Sequence, residues 1–181
     1  MAHIEIRSPL PGIAGLFEHR PETAKPLREL AQLLLRGPSS LSPGEREVIA
    51  AHVSALNRCR FCTMSHGAAA SHLVGTPATP ELGTAAQPEG LQVGAKLGSL
   101  LKIAAQVQSG GDRVTAAQIA EARGQGATDA EIHDTVLIAA AFCMYNRYVD
   151  GLGTWSPESP EDYRPMGERL AVHGYLPPDQ R

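Results

Sequence analysis

Apolar residues recur at helical spacing along most of the chain, and the breaks between these stretches fall at glycine and proline. In "ETAKPLRELAQLLLRG" the leucines at 27, 30, 33, 34 and 35 mark one helix face, and Gly37-Pro38 stops it. A second helix is predicted from about Pro43 to Leu56, with Ser42 as N-cap, Pro43 at the first helical position and Glu45 three residues after the cap, a capping box. Asn57 suits the N-cap of a third helix carrying "RCRFCTMSHGAAASHLVG" and ending near Gly75. Residues 74–90, rich in Gly, Pro and Thr, read as a loop. "LQVGAKLGSLLKIAAQVQSGG" and "VTAAQIAEARGQG" then predict a fourth helix and a short fifth ending at Gly124. Thr128 and Glu131 form another capping box, opening a sixth helix that is apolar on nearly every side through Val136, Leu137, Ile138, Phe142 and Met144. That pattern predicts a central, buried helix. The helices starting near Ser42 and Thr128 suggest a duplicated unit, although their residue-level similarity is weak.

Outside these six, residues 1–21 read as an extended, proline-punctuated N-terminal arm. Residues 154–181 read as a polar C-terminal extension wrapping the surface, with one amphipathic piece around "MGERLAVHGY". At 181 residues and 43% apolar content the chain can bury one core, and no composition shift divides it, so a single domain spanning 1–181 is expected. Aromatic residues are only 4%, while alanine and leucine dominate the apolar set, which favours close-packed helices over sheets. The fold class is all-α.

The net charge of −3 and the lack of a basic run interleaved with aromatics argue against a nucleic-acid partner. Glu5, Arg7 and two prolines interrupt the N-terminus before any signal-peptide core could form, and the longest apolar run, Val136 to Tyr145, is too short to span a bilayer. A cytoplasmic protein without membrane partners is expected. Three cysteines are too few and of the wrong parity for a secreted disulfide scaffold.

The candidate chemistry lies in "CRFCTMSH". Cys59 and Cys62 are three apart and His66 four further on, so one helical stripe carries all three. At i, i+3 the Cα atoms come to about the 5–6 Å a disulfide tolerates, so the pair can cycle between dithiol and disulfide without unfolding the helix. The N-terminal end of a helix stabilises a thiolate, and a histidine can take the thiol proton. The dipole alone favours Cys59 as the more acidic thiol, whereas His66 favours Cys62, and the sequence does not choose between them. Zinc would need a fourth ligand beyond the pair and His66, and Cys143, in the most apolar helix, reads as a buried, inert residue. Haem attachment would need a histidine where Thr63 stands.

Glu47 lies twelve positions before Cys59, and the pattern Glu47, Cys59-Arg60-Phe61-Cys62, His66 resembles the active-site motif of alkyl hydroperoxidase D-like proteins in the carboxymuconolactone decarboxylase superfamily. "FCMYNRYVDGLGTW" is similar to the longer, peroxidase-related members, so the resemblance extends over much of residues 40–155. It implies a helical fold assembling as homotrimers or homohexamers, and peroxide reduction with no cofactor or metal. By the same resemblance Cys62 is the peroxidatic thiol, Cys59 the resolving thiol, and His66 with Glu47 a proton relay, with the disulfide reduced by a dithiol partner such as a lipoyl- or thioredoxin-like protein. The family pattern has a histidine directly before the second cysteine, and Phe61 stands there instead, which would give an apolar wall beside the thiols and a preference for organic peroxides. His52, on the second helix, is a candidate for the surroundings of the site, with a hydrogen-bonded core histidine as the plainer reading. Tyr145, Asn146, Arg147 and Asp150 end the sixth helix with groups suited to closing a pocket, to an oligomer contact or to solvent. General disulfide exchange, a redox-sensing or zinc-binding helical module, and a lactone decarboxylase, which would not use a CxxC pair, are the competing functions.

Overall fold

In the computed structural model, which describes residues 2–88 and 90–177, regular structure is helical throughout. The order is α1 Gly12–His19, α2 Pro21–Arg36, α3 Pro43–Leu56, α4 Arg60–Val74, α5 Ala95–Ser109, α6 Ala116–Gly124, α7 Asp129–Gly151 and α8 Arg164–His173, with short 3-10 segments at Gly111–Arg113 and Pro160–Tyr163. The fold is all-α, as the composition predicts. Both capping boxes read from the sequence are formed, Ser42 with Glu45 and Thr128 with Glu131. A third, Thr115 with Gln118, starts α6.

The helix buried all round is α3, in place of α7. Every residue from Arg46 to Ala55 is buried, because Ala50, Ala51, Ser54 and Ala55 are small enough for α4, α5 and α7 to close on different sides. Ile49 and Val53 join Leu100, Ile103, Ile138 and Phe142 in the main apolar cluster. Arg46 is tolerated in this setting because its guanidinium donates to the Leu34 and Gly37 carbonyls, capping the open end of α2. By contrast α7 leaves His133, Leu137, Ala140, Met144 and Arg147 exposed on one stripe. Its all-round apolar pattern is therefore only partly satisfied within one chain.

Two terminal segments also differ from the sequence expectation. The arm holds α1, in which Ile13 and the fully buried Leu16 face inward. Helix α1 is eight residues long, short enough that packing rather than propensity must hold it. Gly12, at φ 54°, lets α1 lie against α4: a Cβ there would fall 2.3 Å from the Phe61 ring. At the other end α8 packs closely on α4, with Gly167 against Ala68 and Ala69, where a Cβ would meet backbone at 2.6 Å. The segment therefore forms part of the core, and it carries Tyr175 inward.

Candidate active site

Helix α4 begins differently from the sequence reading. Asn57 ends α3, Arg58 adopts a left-handed φ of 60°, and Cys59 takes the N-cap position, which places Cys62 third in α4. Asn57 is diverted by tertiary partners: its amide donates to Asn146 Oδ1 at 2.8 Å and accepts from Gln108 Nε2 at 2.9 Å. Asn146 donates in turn to Ser54 Oγ. This chain of amides holds α3, α5 and α7 together and leaves the cap of α4 to a cysteine.

Both thiols are free and buried, in a small cluster with Phe61, Val149 and Tyr163. A hydrogen bond to Cys62 and burial push the Cys59 thiol far up, and the charge of Asp150 adds to the push. Burial likewise raises Asp150, against a hydrogen bond from Cys59 that lowers it. Burial and the bond to Cys62 thus work against a thiolate at Cys59, in opposition to the helix-dipole argument.

One turn after Cys62, His66 Nδ1 lies 2.8 Å from Oε2 of Glu47, which is fully buried on α3. The other carboxylate oxygen accepts from Arg36 Nη2 at 2.6 Å and from the Tyr175 hydroxyl at 2.5 Å. Burial alone would raise the Glu47 carboxyl, but His66, Arg36 and Tyr175 together hold it below the usual carboxylate range. Burial and the neighbouring Glu47 charge raise Tyr175 well above the ordinary phenol range, so it remains a donor. Its ring stacks on His66, centroids 6.0 Å apart and 12° from parallel, and its hydroxyl lies 3.2 Å from His66 Nδ1. Phe142 meets the imidazole edge-on at 4.6 Å. With Nδ1 engaged, Nε2 is the ring atom left to exchange a proton.

The structure places Cys59 and Cys62 together at the start of α4 and pairs His66, one turn further on, with Glu47 of α3, and to that pair it adds Arg36 and Tyr175, which the sequence did not single out. Arg36 carried no signal beyond its place at the end of α2. Tyr175 had a faint one, an aromatic residue directly after a glycine that follows an amphipathic turn. Gly174 makes the bend at φ 68°, and Gln32 Oε1 then accepts from the Tyr175 amide at 2.8 Å.

Phe61 lines a cavity of about 590 Å³ together with His66, Ser65 and Tyr175. Only 4% exposed, Phe61 is fixed beneath Gly12 and tilted against Tyr163. His52 stands elsewhere: it lines a different cavity with Gln87, whose Nε2 lies 3.2 Å from His52 Nδ1, and burial lowers its pKa. It makes no contact with the Glu47 group, because its place on α3 turns it toward α5. Cys143 is half-buried rather than buried and meets the Asn57 amide at 3.6 Å, apart from the thiol pair. Among the described residues no three His, Cys, Asp or Glu side chains converge in a way that could hold a metal ion. Of the polar groups ending α7, Tyr145 donates to the Leu27 carbonyl, Asn146 is buried in the amide chain, Arg147 is exposed, and Asp150 meets Cys59. No described helix is long and apolar enough to cross a membrane.

The sequence matches the model of the carboxymuconolactone decarboxylase family over residues 21–82 and again over 81–155. The first stretch contains the Ser42 capping box and the thiol pair, the second the Thr128 capping box. No curated protein matches the chain. Among solved structures, an uncharacterized peroxidase-related protein from Silicibacter sp. TM1040 is 26% identical with a TM-score of 0.72, covering 85% of this chain and 78% of its own. An alkylhydroperoxidase AhpD core protein, an uncharacterized peroxidase-related protein from Ralstonia eutropha JMP134, is 24% identical with a TM-score of 0.75, covering 87% of this chain and 81% of its own. The second likeness bears on the fold alone.

Proposed function

The chain belongs to the carboxymuconolactone decarboxylase family, and from that premise we propose that it is a thiol peroxidase acting on organic hydroperoxides. The observation that carries this reading is a pair of neighbouring buried thiols at the start of α4, one turn from a histidine anchored by a buried glutamate. Cys62 passes its proton to His66 and attacks the terminal peroxide oxygen. The S–O bond forms, the O–O bond breaks, and the departing alkoxide takes the proton from His66 to leave as alcohol. Cys62 is now a sulfenic acid. Cys59, which has kept its proton until then, attacks that sulfur: the S–S bond forms, the S–O bond breaks, and the hydroxyl leaves with the proton as water. An external dithiol, a lipoyl- or thioredoxin-like protein, returns two electrons by thiol exchange. No bound cofactor enters this cycle.

Glu47 holds the imidazole in one orientation and stabilises its charged form, while Arg36 and Tyr175 keep Glu47 ionised. The exposed stripe of Leu137, Ala140 and Met144 on α7 supports assembly into trimers or hexamers that cover it. Sedimentation as a monomer at micromolar concentration would count against assembly.

The test is peroxide consumption by the reduced protein, with mass spectrometry of its thiols. Wild type should form the Cys59–Cys62 disulfide, Cys62→Ser should be inert, and Cys59→Ser should stop at a sulfenic acid on Cys62. Thiols untouched by peroxide, in a protein carrying stoichiometric zinc, would instead make the cluster a metal site. Exchange with protein disulfides without peroxide consumption would make it a disulfide oxidoreductase.

A further inference from the structure

Both thiols are buried, Cys59 at 0% and Cys62 at 2% exposure, so a disulfide between them is closed to an outside dithiol unless part of the fold moves. The connection from α7 to the 3-10 segment at Pro160–Tyr163 is the part that lies over Cys59. Its flanking residues Val149 and Tyr163 both belong to the thiol cluster, and Pro157 in its middle is buried. Arg60, the residue after Cys59, donates through Nε to the Pro157 carbonyl at 3.4 Å and through Nη2 to the Glu158 carbonyl. The Tyr163 hydroxyl also donates to the Pro157 carbonyl, at 3.0 Å. Residues 152–159 thus form a strap drawn over the start of α4.

The strap is held unevenly. Its first half is fixed through the main chain: the His3 amide donates to the Leu152 carbonyl, the Gly12 amide to that of Trp155, and the Thr154 amide to that of Val149. Among the described residues no main-chain hydrogen bond reaches residues 156–158, which are held by the side chains of Arg60 and Tyr163. Arg60 is itself exposed, so water competes for its bonds. Stretches tied by few, solvent-exposed hydrogen bonds are the first to open.

Exchange chemistry selects the same thiol. An outside thiolate that attacks Cys59 expels Cys62, one turn from His66, whereas attack on Cys62 would have to expel Cys59, where burial works against a thiolate. Cys62 also points elsewhere. At about 100° per residue around α4, its direction falls between those of Ser65 and His66, which line the cavity.

We infer that the dithiol partner engages this protein at the strap, displacing residues 156–159 from Arg60 and attacking Cys59. The inference rests on the peroxidase reading for the source of the disulfide, with peroxide arriving from the His66 side. One sulfur of the partner bonds to Cys59, the Cys59–Cys62 bond breaks, and Cys62 leaves with the electron pair and takes up the first thiol's proton. The partner's second thiol then attacks its own bound sulfur, and Cys59 is released with the second proton. The partner departs as a disulfide.

Reduction by dihydrolipoamide tests this, on a disulfide made with diamide so that no peroxide is needed. Arg60→Met should speed reduction about tenfold, the lower end of what loss of a hydrogen bond to a charged group does to an opening equilibrium. Arg60→Lys should speed it less, since lysine still donates. In the reduced proteins, iodoacetamide labelling located by mass spectrometry should rise by a similar factor at Cys59 and stay level at Cys62. Oxidation by cumene hydroperoxide should change far less than reduction. A reduction rate indifferent to Arg60, a rise in labelling at Cys62 instead of Cys59, or equal acceleration of oxidation and reduction would overturn the inference and leave the peroxidase reading standing. Faster reduction with Cys59 uncovered, in a protein whose thiols cumene hydroperoxide leaves untouched, would uphold the strap and remove the peroxidase reading.

Discussion

Replacing Tyr175 by phenylalanine deletes one oxygen and keeps the ring that stacks on His66. That oxygen donates to a carboxylate buried on all sides, at 2.5 Å. The carboxylate is not stranded by the change, since Arg36 still reaches Oε1 at 2.6 Å and His66 still reaches Oε2 at 2.8 Å. The cost is therefore one hydrogen bond to a charged group, about 1.5–3 kcal/mol, rather than the roughly 3–5 kcal/mol of an uncompensated buried charge. Its pH dependence follows from Glu47. A carboxyl whose folded pKa is depressed contributes stability that is fully present above its unfolded value, near 4.3, and is lost as pH falls through the folded value. The gap between wild type and Tyr175→Phe should be widest at pH 7 and narrow below about pH 4. Urea denaturation across that range measures it. Tyr145→Phe is the control: its buried hydroxyl donates to the Leu27 carbonyl, so its cost should be about 1 kcal/mol at every pH. A gap for Tyr175→Phe as flat with pH as that of Tyr145→Phe would refute the bond to an ionised Glu47.

The capping carboxylate of α7 gives a second pH signature. Burial would raise Glu131, but hydrogen bonds from Lys96 and from the Thr128 backbone overcome it and bring the group down to about 2. Its stabilisation, about 2–3 kcal/mol, should be present above pH 4.3 and fade toward pH 2, and Glu131→Gln should lack that fade in urea titrations at pH 7 and pH 3. Gly167→Ala offers a helix the better helix former by about 1 kcal/mol, yet its Cβ would press on α4 at overpacking costs of about 1–3 kcal/mol. A lowered melting temperature is expected, and a raised one would deny the close approach of α8. Phe61→His should narrow the preference for cumene hydroperoxide over hydrogen peroxide; an unchanged ratio of rates would deny Phe61 a part in substrate choice.

Which features the sequence disclosed depends on how far apart their causes lie. The start of α3 was legible because Ser42 and Glu45 cap each other within one turn. Cys62 and His66 share α4 as their spacing implies, whereas Cys59 stands at its N-cap in extended backbone, and the Glu47–His66 pair was legible through the family resemblance. Asn57 misled because its amide had better partners on α5 and α7 than the turn ahead of it. Leu137 and Met144 misled because an apolar residue reads as buried whether its cover is this chain or another. Tyr175 left only a faint trace in the sequence, since it is the folding of α8 against α4 that brings it to a carboxylate 128 positions away.

That separation also orders events during synthesis. Arg36, Glu47 and His66 leave the ribosome close together, whereas the tyrosine that completes their cluster follows His66 by 109 residues. At the usual 5–20 residues per second, that is a delay of roughly 5–20 s. For that interval the Glu47–His66 pair has one of its two supporting donors, Arg36. The ionised state of Glu47 gains its last hydrogen-bond donor only when α8 docks, once nearly all of the fold around it has been made.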